Sequence, residues 1–281
     1  MTEFLTVDGG RLAYEVQGEG PSVVLAHGIG QDRTAFRFVV PELVAAGYRV
    51  ASMDLRGCGG SSTGWSSYTR TAIAGDLVAL VRHLGGPAVL VGHSIAGGAV
   101  TIAAAKAPDL VTSAVEIGPF TRKLQIRLGD LRVRGYRRGT FHLLGVALGS
   151  ARQWTRYLEL ATPGVRPADW DASLTRIRAA LREPGRMAVL RKMCTISPVD
   201  AGEQLANVRC PVLVVQGTAD PDWVSPRGEG EAVVAALPAG LGRLVMVEGA
   251  GHYAHVQYPA ETLAALLPFL AETTSQAGSR A

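Results

Sequence analysis

The stretch Gly92-His93-Ser94-Ile95-Ala96-Gly97-Gly98 sets a serine among small residues, between the apolar run Ala88 to Val91 and the helix-like stretch Ala99 to Lys106. A serine at a tight strand-to-helix turn has strained backbone dihedrals, needs small neighbours where the chain packs closely, and projects its Oγ clear of the sheet. Gly92, Ala96 and Gly97 meet that need. The hydroxyl becomes a nucleophile only beside a general base, and the base needs a carboxylate to fix its tautomer and stabilise its charged form. Both types lie downstream. Gly217-Thr218-Ala219-Asp220 follows the run Val212 to Gln216, and Gly249-Ala250-Gly251-His252-Tyr253 follows Leu244 to Glu248. Asp220 is therefore the first candidate acid and His252 the first candidate base. The start of the helix after Ser94 offers free N–H groups that can stabilise a developing oxyanion.

Rivals exist for two of these roles. Asp222, two residues beyond Asp220, and Glu116, at the end of Val111 to Ile117, are alternative carboxylates. His255 is the alternative base, read here as a surface or capping residue at the start of the last helix. His93 reads as a filler beside Ser94 that points the opposite way, His27 as a packed support, and His83 and His142 have no constellation around them.

Residues 126 and 32 apart in sequence meet only if the fold brings them together. From residue 11 onward short β-branched runs alternate with amphipathic stretches, which predicts an α/β domain with a mostly parallel central sheet flanked by helices. The expected strands are Arg11 to Val16, Ser22 to Ala26, Arg49 to Met53, Ala88 to Val91, Val111 to Ile117, Val212 to Gln216 and Leu244 to Glu248. The later ones are near-continuous apolar runs, as strands covered on both faces should be. Between them, Ile73, Leu77, Leu80, Val81 and Leu84 form one apolar helix stripe, which leaves Asp76 and Arg82 facing outward. In open α/β sheets the loops beyond the strands' C-terminal ends converge on one crevice, where Ser94, Asp220 and His252 can meet.

The alternation stops between residues 119 and 200, where helical spacing is broken by Pro163, Pro167 and Pro184. This predicts a helical insertion over 119–200 between core segments 1–118 and 201–281. The insertion carries 16 basic and 6 acidic residues, whereas the whole chain has a net charge of only +4. Within it Leu124, Leu128 and Leu131 are expected on one helix face and Arg127, Arg134 and Arg138 on another. Such a basic face suits an acidic partner, such as acyl-CoA or a carrier protein.

In the order Ser, Asp, His, with the acid and base each after a strand, the chain resembles the α/β-hydrolase superfamily, in its serine-nucleophile branch with an inserted helical cap. The resemblance covers about residues 10 to 272 and departs from the elbow pattern G-x-S-x-G at Ala96, a small-for-small change. It implies a Ser94, His252, Asp220 triad. His27-Gly28-Ile29-Gly30 resembles the family's oxyanion loop, which implies a hole built from the Ile29 and Ile95 N–H groups. Asp54 to Ser61 resembles a turn that is structural in most members. Relatives that open epoxides or remove halides use an aspartate at the elbow, so a serine argues against both. What remains is hydrolysis of a small to medium hydrophobic ester, lactone or thioester through an acyl-enzyme, C–C hydrolysis, or cofactor-free perhydrolysis. Non-hydrolytic use of the scaffold, as a ligand receptor or a cyclase, and an interaction protein with a basic cap are the alternatives. Phe120, Phe141, Trp154, Tyr157 and Trp170 can supply an apolar roof, with Trp223 and Tyr253 flanking the acid and base.

Composition narrows the rest. The chain has 281 residues, 47% of them hydrophobic and 19% charged, enough for one large core and unlike a disordered chain. Its longest apolar runs fall far below the roughly 20 residues that span a bilayer. The start MTEFLTVDGG has neither a basic beginning nor an apolar stretch, so a cytoplasmic location is expected. Three widely spaced cysteines, Cys58, Cys194 and Cys210, indicate neither a disulfide framework nor a zinc site. No cofactor, metal or nucleic acid is implied by any motif.

Overall fold

The computed structural model describes residues 1–122 and 127–278. Eight strands, β1 (Glu3–Val7), β2 (Gly10–Gln17), β3 (Ser22–Ala26), β4 (Arg49–Met53), β5 (Ala88–His93), β6 (Val111–Ile117), β7 (Val212–Gly217) and β8 (Gly242–Val247), form one sheet in the order β1-β2-β4-β3-β5-β6-β7-β8. The pairs β1/β2 and β2/β4 are antiparallel. All other pairs are parallel, so the sheet is mostly parallel as the alternation predicted. The strand that the sequence reading lacked is β1, a short edge element whose residues are exposed or half-buried and therefore carry no apolar run.

The helices are α1 (Val40–Ala45), α2 (Arg70–His83), α3 (Ile95–Lys106), α4 (Arg134–Ala147), α5 (Ala151–Leu160), α6 (Trp170–Ala180), α7 (Arg186–Thr195), α8 (Val199–Gly202), α9 (Pro226–Ala236), α10 (Ala254–Gln257) and α11 (Pro259–Gly278). Alternate strand residues face opposite sides, so two cores arise. Val24, Leu90 and Val214 pack with Leu77, Val100 and Val233 of α2, α3 and α9. Val23, Val89, Val91 and Val215 pack with Leu43, Leu266 and Leu270 of α1 and α11. Side-chain caps start several of these helices at the expected residue types: Thr69 accepts from Ala72 N before α2, and Ser150 from Gln153 N before α5.

Between β6 and β7 the described residues form helices and no strand. Val146, Trp154, Tyr157, Leu158, Leu174 and Leu190 of this segment make a third cluster with Tyr253 and Val256, and Ile29 and Phe38 pack against it. The helical segment thus lies on the loops at the C-terminal ends of the parallel strands, where the candidate residues are.

Two sequence expectations fail here. Asp76 does not face outward: it is 2% exposed, and both of its oxygens accept from the Arg56 guanidinium at 2.7 Å. The helix stripe cannot reveal this, because the partner comes from the loop after β4. Arg82 is exposed as expected. A single helix that would carry Arg127, Arg134 and Arg138 on one face does not form either. A short 3-10 turn, Leu128–Arg132, precedes α4, with Asp130 accepting from the Arg127 N–H, so the proposed Leu and Arg faces do not line up. Leu128 is 91% exposed, and Leu124 lies outside the described residues.

Candidate active site

β5 delivers Ser94 directly. Its backbone sits at φ 57°, ψ −118°, and it is the only non-glycine residue with positive φ among the described residues. That conformation is costly for an L-residue and persists only where its surroundings enforce it. The turn is closed tightly: a Cβ on Gly92 would lie 2.3 Å from the Ala96 carbonyl oxygen, and one on Gly97 would lie 2.8 Å from Pro119. Ala96 is fully buried, so the small residue in the elbow's last position is accommodated. The Ile95 N–H opens α3 and, like the Ile29 N–H, donates to no acceptor among the described residues.

The candidate acid and base come from the loops after β7 and β8. His252 Nδ1 donates to Asp220 Oδ2 at 2.9 Å. Asp220 is itself held by Gln216 Nε2, at 2.9 Å on the same oxygen, and by the Asp222 N–H, at 3.0 Å on Oδ1. Asp222 is a second carboxylate beside His252: its Oδ2 lies 3.4 Å from His252 Nδ1 and accepts from the Tyr157 hydroxyl at 2.6 Å. Burial works to lower the His252 pKa, but the Asp220 and Asp222 charges outweigh it and lift the imidazole to about 9. Burial raises the Asp222 carboxyl above its ordinary range, against the pull of His252.

The other histidines act as supports. His93 Nε2 donates to the His252 carbonyl at 3.0 Å, and burial keeps this ring neutral by lowering its pKa well below the ordinary value. His27 Nδ1 donates to the Gly28 carbonyl at 2.7 Å while its Nε2 accepts from the Leu55 N–H at 3.0 Å. This fixes the backbone just ahead of Ile29. His255 is a correction to the sequence reading. It is fully buried, stacked on Phe36 at 4.8 Å, and burial drops its pKa to about 3. Glu116 is also buried, but its carboxyl accepts from Thr101 of α3 instead of a histidine, and burial raises it to about 8.

One cavity joins these parts. Ser94, His252, Asp222, Ile29 and Ile95 line it from the sheet side, and Leu143, Trp154, Tyr157, Met193 and Ile196 from the helical segment. Phe120 and Tyr253 complete the expected aromatic lining, with Phe120 edge-on to His252 at 5.8 Å. Ser94 and His252 face this space without a hydrogen bond between them among the described residues. Trp223 stands behind Phe120, rings 4.9 Å apart, and Trp170 lines a neighbouring cleft that shares Tyr253.

Phe141 is the second correction. It is 61% exposed, because α4 turns Gly139 and His142 inward, Gly139 against Pro221, and residue 141 falls on the outer side. Sequence reasoning missed Gln216 and Arg70 altogether, and it named Tyr157 only as part of the apolar roof, not for its hydroxyl. Gln216 and the Tyr157 hydroxyl act through pairings that no local pattern announces, and Arg70, which lines the cavity, reads as an ordinary first-turn residue of α2.

Among the described residues, Asp220, Asp222 and His252 are the one set of three potential metal ligands within 4.8 Å of one another. Their facing atoms already share hydrogen bonds with each other and with Gln216 and Tyr157. That donor pattern belongs to an acid–base network.

A family model described as "Alpha/beta hydrolase family" matches residues 23–266. The chain belongs to this family. Within it, the chain is 28% identical over 273 residues to a 2-(acetamidomethylene)succinate hydrolase of Mesorhizobium japonicum, covering 94% of each protein. It is 27% identical over 335 residues to epoxide hydrolase A of Mycobacterium tuberculosis, covering 94% of this chain and 95% of the relative. A solved esterase of Thermogutta terrifontis superimposes with a TM-score of 0.71 at 25% identity, over 97% of this chain and 99% of that one. These family members are hydrolases, which supports hydrolase activity here. No helix among the described residues is long and apolar enough to cross a membrane.

Proposed function

We propose that the protein is a serine hydrolase of small to medium hydrophobic esters, lactones or thioesters. Ser94 attacks the carbonyl, His252 accepts the hydroxyl proton and returns it to the leaving group, and Asp220 orients His252 and stabilises its cation. The Ile29 and Ile95 N–H groups receive the oxyanion. An acyl-enzyme on Ser94 is then released by water activated through His252. Residues 119–200 act as a cap over a core made of 1–118 and 201–281, and its Trp154 and Tyr157 shape the acyl pocket.

The observation that carries this reading is the strained Ser94 in the wall of a cavity that His252 also lines, with His252 Nδ1 on Asp220 at 2.9 Å. The missing Ser94–His252 bond fits a resting enzyme, since catalytic hydrogen bonds often tighten only once substrate is bound. A serine at 94 favours acyl transfer over the epoxide chemistry in the name of one relative.

Labelling with a fluorophosphonate probe, with the adduct located by mass spectrometry, tests the assignment. Adduct on Ser94 that disappears in Ser94→Ala and His252→Ala is expected. An unlabelled, folded protein would overturn the activated nucleophile and favour a receptor or non-hydrolytic use of the scaffold.

A further inference from the structure

Arg70 is the first residue of α2, is 3% exposed, and lines the same cavity as Ser94. Its Nε donates to the Phe120 carbonyl at 2.8 Å and its Nη1 to the Ile196 carbonyl at 3.2 Å. No carboxylate reaches it at ion-pair distance among the described residues. Asp200, the charge that acts on it, is engaged instead by the Thr71 N–H and hydroxyl, each at 3.0 Å. Asp222, the carboxylate in the cavity wall, is engaged by Tyr157 and His252.

A guanidinium stays charged at any physiological pH, and a buried charge is normally paired. Buried Arg56 follows that rule through Asp76, but Arg70 has only neutral carbonyls. The start of a helix is also an unfavourable place for a cation, because the free N–H groups there carry partial positive charge. Two carbonyls alone are a weak reason to bury a guanidinium in the wall of a catalytic cavity.

Its position relative to the nucleophile is set by one residue. The Phe120 N–H donates to the Ser94 carbonyl at 3.2 Å, and the Phe120 carbonyl receives Arg70 Nε. Arg70 is therefore tied to the Ser94 carbonyl through the single residue Phe120, within reach of a group a few carbons from a carbonyl attacked by Ser94. Elsewhere in the lining, the buried Trp154 indole N–H, packed over Gly30, has no acceptor among the described residues. The roofing segment 119–200 holds 16 basic and 6 acidic residues, a field that draws anions toward the mouth.

We propose that Arg70 is a specificity residue that pairs with a carboxylate on the acyl part of the substrate, so that the preferred substrates are half-esters, lactones or thioesters of short dicarboxylic acids. This inference rests on the serine-hydrolase reading for its chemistry. Attack by Ser94 breaks the bond from the acyl carbon to the leaving oxygen or sulfur and forms the Ser94 ester. The remote carboxylate stays intact on Arg70 throughout.

The test uses matched pairs of 4-nitrophenyl esters: the monoesters of succinic, glutaric and adipic acid, and the same compounds with the free carboxylate replaced by a carboxamide. For the wild-type protein, kcat/KM is expected to favour the carboxylate member of at least one pair by about tenfold or more. Arg70→Gln should collapse that ratio toward one, and Arg70→Lys should restore part of it. A brace for the two carbonyls would slow both members of a pair alike, so a wild-type ratio near one, or a ratio unmoved by Arg70→Gln, overturns the proposal. If Arg70→Gln does not fold, the wild-type ratios and Arg70→Lys still decide.

Failure of the hydrolase reading looks different: no turnover of either member and no fluorophosphonate adduct on Ser94. In that case calorimetry of glutarate against its monoamide decides the carboxylate site. Tighter glutarate binding by wild type than by the Arg70 variants supports it, and equal binding overturns it.

Discussion

The loops at the strand ends and the helical segment above them build the same cavity by different means. The sheet side relies on backbone geometry: the strained turn at Ser94, the tight packing at Gly92, and the short loops that set Asp220 and His252 just past β7 and β8. The helical side relies on side chains reaching across, such as Tyr157 to Asp222 and Trp154 stacked on Tyr157 at 5.2 Å. Backbone-built features tolerate changes in surrounding side chains. Side-chain-built ones change with every substitution, which suits the substrate-selecting role proposed for the helical segment.

The sharpest break in this contrast comes from the sheet side. Ser94→Ala is expected to lower kcat on any accepted acyl substrate by about 10⁴-fold or more, measured by single-turnover kinetics with the fold checked by circular dichroism. A smaller loss would mean that the loops position another nucleophile.

On the helical side, Trp154→Ala removes a fully buried ring and should cost about 3–5 kcal/mol of stability in denaturant titration. If the division is right, the folded fraction still labels at Ser94 while its preference for acyl chain length changes. Loss of labelling in folded protein would show that the helical side also assembles the catalytic residues.

A third experiment probes the seam between the two. His252 must be neutral to act as base, and with its pKa at about 9 the kcat/KM profile should rise with pH until about pH 9. Asp222→Asn removes one of the two charges that raise it and should shift the rising limb down by about one pH unit. An unshifted limb would assign the elevation to Asp220 alone.

The last experiment concerns the support layer. His255 has its folded pKa lowered to about 3, so between there and its unfolded value near 6.5 the unfolded chain binds the extra proton. Its contribution to stability is therefore complete above about pH 6.5 and declines as pH falls, by about 1.4 kcal/mol per unit. His255→Phe should flatten that part of the stability curve, read from urea midpoints between pH 4 and 7.

The same contrast explains what could be read from the sequence. The strand-turn-helix around Ser94 and the post-strand positions of Asp220 and His252 are local patterns, and the fold brings these residues to one end of the sheet. β1 escaped because an exposed edge strand needs no apolar run. Asp76 and Phe141 were given the wrong side, because a helix face depends on what packs against it: Arg56 in one case and Pro221, beside Gly139, in the other. The Tyr157–Asp222 bond joins residues 65 apart, and Arg70 has its partners 50 and 126 residues away. Pairings of that range leave no periodic trace.

The grip of the helical segment on the His252 loop limits how this molecule can be rebuilt. The His252 N–H donates to the Ala161 carbonyl at 2.9 Å, and Gln257 ties Gly251 to the carbonyls of Pro163 and Val165. A roof transplanted from another relative would therefore not be an interchangeable part. It would have to bring its own carbonyls to the His252 loop and its own hydroxyl to Asp222, or the proposed acid–base pair would lose the contacts that hold it.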